Sequence, residues 1–63
     1  MTGEELRDAR LDLGLSQTEL AAAIGLRTQS HVSMMERGKK AVSARTAINV
    51  RTLMDRLGRS TAE

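Results

Sequence analysis

Residues 13–38 read LGLSQTELAAAIGLRTQSHVSMMERG, and this stretch decides the fold. Gly14, Gly25 and Gly38 punctuate it, each where an amphipathic pattern stops. A glycine just past a helix end accepts the left-handed conformation at low cost. Between the first two glycines, Ser16 with Glu19 has the capping-box pattern, in which hydroxyl and carboxylate each satisfy an amide that a helix start leaves without a partner. The spacing predicts a helix over 17–24 that buries Leu20, Ala23 and Ile24, with Ala21 beside them. Thr28, a plain N-cap residue, opens a second helix over 29–37. At about 100° per residue, Val32 and Met35 share its core side, while Ser30, Ser33, Met34 and Arg37 gather opposite, with Gln29 and His31 on the flanks.

Outside this stretch the same signals recur. Thr2 with Glu5 is a second capping box and predicts a helix over 3–13, whose stripe of Leu6, Ala9 and Leu13 also contains Arg10. Ser43 is the N-cap of a helix over 44–57, in which Ala47, Val50, Leu53, Met54 and Leu57 share one arc and Ile48 points elsewhere. Gly58 marks its stop. Residues 1–58 are therefore expected to form an all-α, compact four-helix domain, and residues 59–63 a short polar tail. The sequence has no proline, internal repeat or strand-like alternation.

A chain of 63 residues has a thin core, because a domain this size buries only about 60% of the surface that its unfolded form exposes. With no cysteine and one histidine, disulfides and metals are not available as staples, which leaves self-association. No charged N-terminal region followed by an apolar run marks export, and no apolar stretch approaches the roughly 20 residues that cross a bilayer. A cytoplasmic location is expected. His31 cannot build a metal cluster alone, and the carboxylates lie mostly on surface faces, so no enzyme activity, catalytic residue, metal or cofactor is expected.

The formal net charge of +2 conceals an asymmetry. Residues 1–26 carry Arg7 and Arg10 against Glu4, Glu5, Asp8, Asp12 and Glu19, whereas residues 27–51 carry Arg27, Arg37, Lys39, Lys40, Arg45 and Arg51 against Glu36 alone. A concentrated basic middle suits a polyanion as well as a solvated cationic surface. Single-strand and RNA platforms stack bases on aromatic rings, and this chain has 0% aromatic residues. Among nucleic acids, that leaves duplex recognition by a helix, whose short polar side chains reach base edges while flanking cations hold phosphates.

The run Leu13 to Ala21, followed by Ile24-Gly25, Val32-Ser33 and Glu36-Arg37-Gly38-Lys39, resembles the Cro/phage-repressor (XRE-type) helix-turn-helix family over residues 6–50. The resemblance implies a lambda-repressor-like fold whose second helix crosses the DNA backbone and whose third enters the major groove. It implies base-edge contacts from Gln29, Ser30, Ser33 and Met34, a phosphate contact from Gln17, and a phosphate clamp from Lys39 with neighbouring amides. Arg27, Thr28, His31, Arg37, Lys40 and Arg45 flank that face, within reach of phosphates, and Arg37 is also placed to bind a guanine base. Arg10 and Glu36 lie on or beside core-facing arcs and match a buried ion pair of the family.

The sequence departs from the family pattern in three places. The segment between Gly25 and Gly38 is one residue longer than usual, the excess falling at 26–28. Met34 stands where relatives are often polar and offers apolar contact to a thymine methyl. Many relatives continue into a fifth helix where this sequence ends. The implied function is a DNA-binding transcriptional regulator, an autoregulatory repressor of phage or mobile-element type, bound to an inverted-repeat operator as a homodimer. Ile48, Leu53, Met54 and Leu57 are the candidate dimer contacts. Restriction-system controllers and anti-CRISPR-associated regulators share this architecture, and an antitoxin-like protein-interaction module is the alternative from another class.

Overall fold

The computed structural model describes residues 1–57, so the expected stop at Gly58 and the tail at 59–63 lie outside the described residues. The elements are α1 (Gly3–Asp12), α2 (Gln17–Ala23), α3 (Gln29–Glu36) and α4 (Ala44–Arg56), with no strand among the described residues. Both capping boxes form. Thr2 Oγ1 accepts the Glu5 amide at 3.1 Å while the Thr2 amide donates to Glu5 Oε1 at 2.8 Å, and Ser16 with Glu19 repeats the geometry. Ser43 Oγ accepts the Thr46 amide at 3.2 Å. Thr28 differs: it occupies the N-cap position of α3, but its side chain accepts no cap hydrogen bond.

Three helices end in the same turn. After α1, α2 and α3 a glycine takes positive φ, and the amide two positions past the last cap reaches back to an orphan carbonyl: Leu15 to Arg10, Leu26 to Ala21 and Lys39 to Met34, at 3.1, 2.8 and 2.9 Å. This is the Schellman arrangement, which often adds an apolar contact from the residue after the glycine. Leu15 and Leu26 make that contact and pack on the core; Lys39 is exposed. In the α2–α3 turn Leu26 is tucked inward and Arg27 and Thr28 are exposed.

The core consists of Leu6, Ala9, Leu20, Ala21, Ile24, Val32, Met35 and Val50, with Leu53 and Met54 partly buried against it. One expectation is corrected on α2, where Ala23 is exposed and Ala21 is buried. The buried arc runs from Leu20 through Ile24 to Ala21, so the helix is rotated away from Ala23. Along α4, Val50 is fully buried and Ala47 partly so, but Leu57 is exposed, because the core ends before the helix does. Thr46, which periodicity did not single out, is buried, and its hydroxyl accepts from Ser43 Oγ at 3.1 Å.

Gly3 fixes how closely α1 approaches α3. A Cβ there would lie 2.0 Å from the Met35 carbonyl oxygen and 3.2 Å from Glu36 Cα, so any other residue must push two backbones apart.

Above that contact, Arg10 of α1 meets Glu36 of α3. Arg10 Nε donates to Glu36 Oε2 at 2.6 Å and Nη2 to Oε1 at 3.2 Å, while Nη1 donates to the Leu15 carbonyl at 2.9 Å. Gln17 Nε2 of α2 adds a bond to Glu36 Oε1 at 3.0 Å. The two charged side chains are only 12% and 5% exposed. Burial disfavours the charged carboxylate, but the hydrogen bonds from Arg10 and Gln17, with the charges of Arg10 and Arg7, outweigh it and hold Glu36 below the ordinary glutamate range.

Two outcomes follow for stability. Gly3→Ala gains at most about 1 kcal/mol of helix propensity, against about 1–3 kcal/mol for overpacking against rigid backbone. The variant should therefore unfold at lower urea concentration than the wild type, and a higher midpoint would show that the approach is slack. Glu36→Ala strands the arginine and should cost about 3–5 kcal/mol at neutral pH. Because the folded value of Glu36 is depressed, its contribution is complete above the ordinary value of 4.5 and is lost as pH falls through the lower folded value. The gap between wild type and variant should close over that acid range in urea titrations. A gap that is small at neutral pH would mean the pair contributes little.

Candidate nucleic-acid interface

The amphipathicity of α3 sorts its residues. Val32 and Met35 are buried at 0% and 1% exposure, and the opposite side presents Ser30, Ser33, Met34 and Arg37, with Gln29 on its flank; Ser33 is half-buried and the others are exposed. Met34 is the one apolar side chain on this face, 43% exposed. His31 is half-buried on the far flank, and its amide donates to the Thr28 carbonyl at 3.3 Å. Because the Thr28 hydroxyl leaves the first turn of α3 uncapped, positively polarised amides are concentrated at the end of the helix beside exposed Arg27.

Gln17 and Gln29 stand at the first positions of α2 and α3, and Gln29 Nε2 donates to Gln17 Oε1. Gln17 also donates to Glu36, so a continuous chain of polar contacts runs from Arg10 through Glu36 and Gln17 to the exposed Gln29. The sequence placed these glutamines in two separate roles; the structure ties them together. The only hint available was that both residues follow an N-cap.

In the loop after α3 the amides of Lys39 and Lys40 both donate to the Met34 carbonyl, at 2.9 and 3.3 Å. The side chains of Lys39, Lys40 and Arg45 are exposed. On the other side of α3 an open polar hollow of about 420 Å³ lies between α1, α2 and α3. Gln29, Ser33 and Arg37 line one wall and Arg7, Arg10 and Gln17 the other, with Glu36 between them. Arg7 had no assigned role in the sequence; its spacing of three from Arg10 was the available signal.

Among the described residues no cluster of histidine, cysteine, aspartate and glutamate is arranged to hold a metal. No helix among them is long and apolar enough to cross a membrane. The arrangement offers hydrogen-bonding side chains on a protruding helix, bordered by cations.

Comparison with curated proteins and with solved structures gives no significant match. A family model described as helix-turn-helix, of the Cro/C1 type, matches residues 6–61. With that match covering most of the chain, the protein belongs to the Cro/C1-type, XRE-like helix-turn-helix family of DNA-binding regulators.

Proposed function

We propose that this chain is a sequence-specific repressor that binds its own promoter region and blocks polymerase by occupying it. The observation that carries the reading is the division of α3, buried on one side and presenting short polar side chains on the other, between flanks of exposed arginine and lysine. Gln29, Ser30, Ser33 and Met34 read base edges: the amide pairs bidentately with adenine, the hydroxyls donate or accept, and the methionine covers a thymine methyl. Arg27, Thr28, His31, Lys39, Lys40 and Arg45 hold phosphates, Gln17 supports that row, and Arg37 serves either the phosphates or a guanine. The site of action is the cytoplasm, where the promoter is. Footprinting on the DNA flanking its gene tests the whole reading, with a discrete protected site expected.

On the protected duplex, Gln29→Ala should cost about 1–3 kcal/mol and relax preference at one base pair per half-site, leaving binding to a scrambled duplex nearly unchanged. Lys40→Ala should weaken both duplexes alike and lower the slope of log affinity against log salt by about 0.9. The reverse pattern would mean that α3 is docked the wrong way round.

The operator-bound form is a two-fold dimer built on the end of α4. Leu57, 53% exposed, continues the apolar arc of Val50, Leu53 and Met54 past the edge of the core. Ile48, 62% exposed, lies about 180° from Leu57 around the helix axis, so one flat interface cannot bury both, and we assign the contact to Leu57 with Leu53 and Met54. Half-sites would then lie about 34–36 Å apart or a multiple of that. Leu57→Lys should sediment as a monomer with weakened operator binding, and Ile48→Lys should remain dimeric. Wild type sedimenting as a monomer at micromolar concentration, free and on DNA, rules the dimer out.

A further inference from the structure

We infer that the thioether of Met34 is a site of reversible oxidation, at which a hydroperoxide converts the sulfur to a sulfoxide and so releases the chain from its specific site on DNA. This assignment rests on the DNA-binding reading above and adds a chemical control to the same face.

Of the four methionines, Met34 is the most exposed at 43%, while its chain neighbour Met35 is 1% exposed in the core. Met1 is 36% exposed and Met54 half-buried, and the two line a hollow between α1 and α4 that has no α3 residue in its walls. The sequence has no cysteine, so methionine carries all of its sulfur. A peroxide must reach the sulfur to react with it, and on α3 it reaches Met34 ahead of Met35.

The step is an oxygen transfer. A sulfur lone pair attacks the terminal oxygen of the hydroperoxide, and the S–O bond forms as the O–O bond breaks. The departing oxygen takes the proton of the transferred one and leaves as water or an alcohol. Sulfur loses two electrons and the peroxide gains them. Methionine sulfoxide is reduced back by dedicated reductases, which makes the change reversible.

Position gives the oxidation its effect. Seen down α3, Met34 lies about 200° from Val32, near the centre of the exposed face, with Ser30 and Arg37 within about 60° of it. It is the one apolar side chain there, so it alone supplies the contact assigned to a thymine methyl. A sulfoxide oxygen accepts hydrogen bonds, and a methyl group has none to give; burying the oxygen unpaired weakens the complex. The Ser30 hydroxyl and the Arg37 guanidinium, four residues before and three after Met34, are its neighbours on the helix surface, and the new oxygen draws these donors away from the duplex.

The fold is insulated from the change. Met34 holds the turn after α3 through its backbone carbonyl, which accepts from the Lys39 and Lys40 amides whatever the side chain carries. A leucine would offer the same apolar contact without this chemistry.

The test uses the full chain, hydrogen peroxide as oxidant, and two duplexes, the one protected in the footprint and a scrambled one. Tandem mass spectrometry should find an added oxygen on Met34 before any on Met35. At that stage affinity for the protected duplex should fall by about tenfold or more, with scrambled-duplex binding and the urea midpoint unchanged. Methionine sulfoxide reductases acting on both epimers should restore it. Met34→Leu, whatever its starting affinity, should keep that affinity through the same treatment, and Met54→Leu should lose affinity as the wild type does. Unchanged affinity with Met34 fully oxidised overturns the inference, as does an equal loss in Met34→Leu or a loss that the reductases do not reverse. A lowered midpoint accompanying the loss would assign it to the core and overturn the inference too. If untreated wild type protects no site, the DNA-binding reading fails, and the inference with it.

Discussion

One carboxylate holds three helices together. Glu36, on α3, accepts from Arg10 of α1 and Gln17 of α2, at the edge of a core that contains no aromatic ring. Native domains hold only about 5–15 kcal/mol in reserve, and leaving one partner of a buried ion pair alone typically costs about 3–5 kcal/mol, so a chain this small is sensitive to the loss of either partner. Its directionality matters as much as its strength. Leucine and alanine contacts tolerate sliding, whereas a bidentate arginine–carboxylate pair fixes angle and register, and therefore how α3 is presented.

The same carboxylate links the interior to the exposed face of α3. Gln29 is exposed, yet its amide is already held by Gln17, which is held by Glu36. A glutamine ordered in this way has less side-chain freedom left to lose, and the ordering is done by groups that also stabilise the fold. Interior and surface thus share one polar chain, which no single residue in it would reveal.

The elements that depend on neighbouring residues were legible in the sequence. Thr2, Ser16 and Ser43 cap where they were expected to, and Gly14, Gly25 and Gly38 take the positive φ that their turns require. Features set by the meeting of elements were not legible. The rotation of α2 was misjudged by one alanine, since Ala21 and Ala23 flank the Leu20–Ile24 stripe with identical side chains, and only the neighbouring helices decide between them. Gly3 looks like a poor helix residue until the Met35 carbonyl is placed against it. Thr28 has the right chemistry for a cap, yet its side chain accepts no cap hydrogen bond. For the site, the sequence supplied the polar face of α3 and its cations, but not the hollow beside it, which exists only once α1 lies across α3.

The turn repeated after α1, α2 and α3 has a further consequence. In the first two copies the residue after the glycine is leucine and acts as a rivet into the core; in the third it is Lys39, and the side chain points outward. The backbone bonds closing the third turn are made regardless of that side chain, so shape and surface are uncoupled there. Position 39 can therefore change in charge, length or hydrogen bonding without disturbing the fold beneath it.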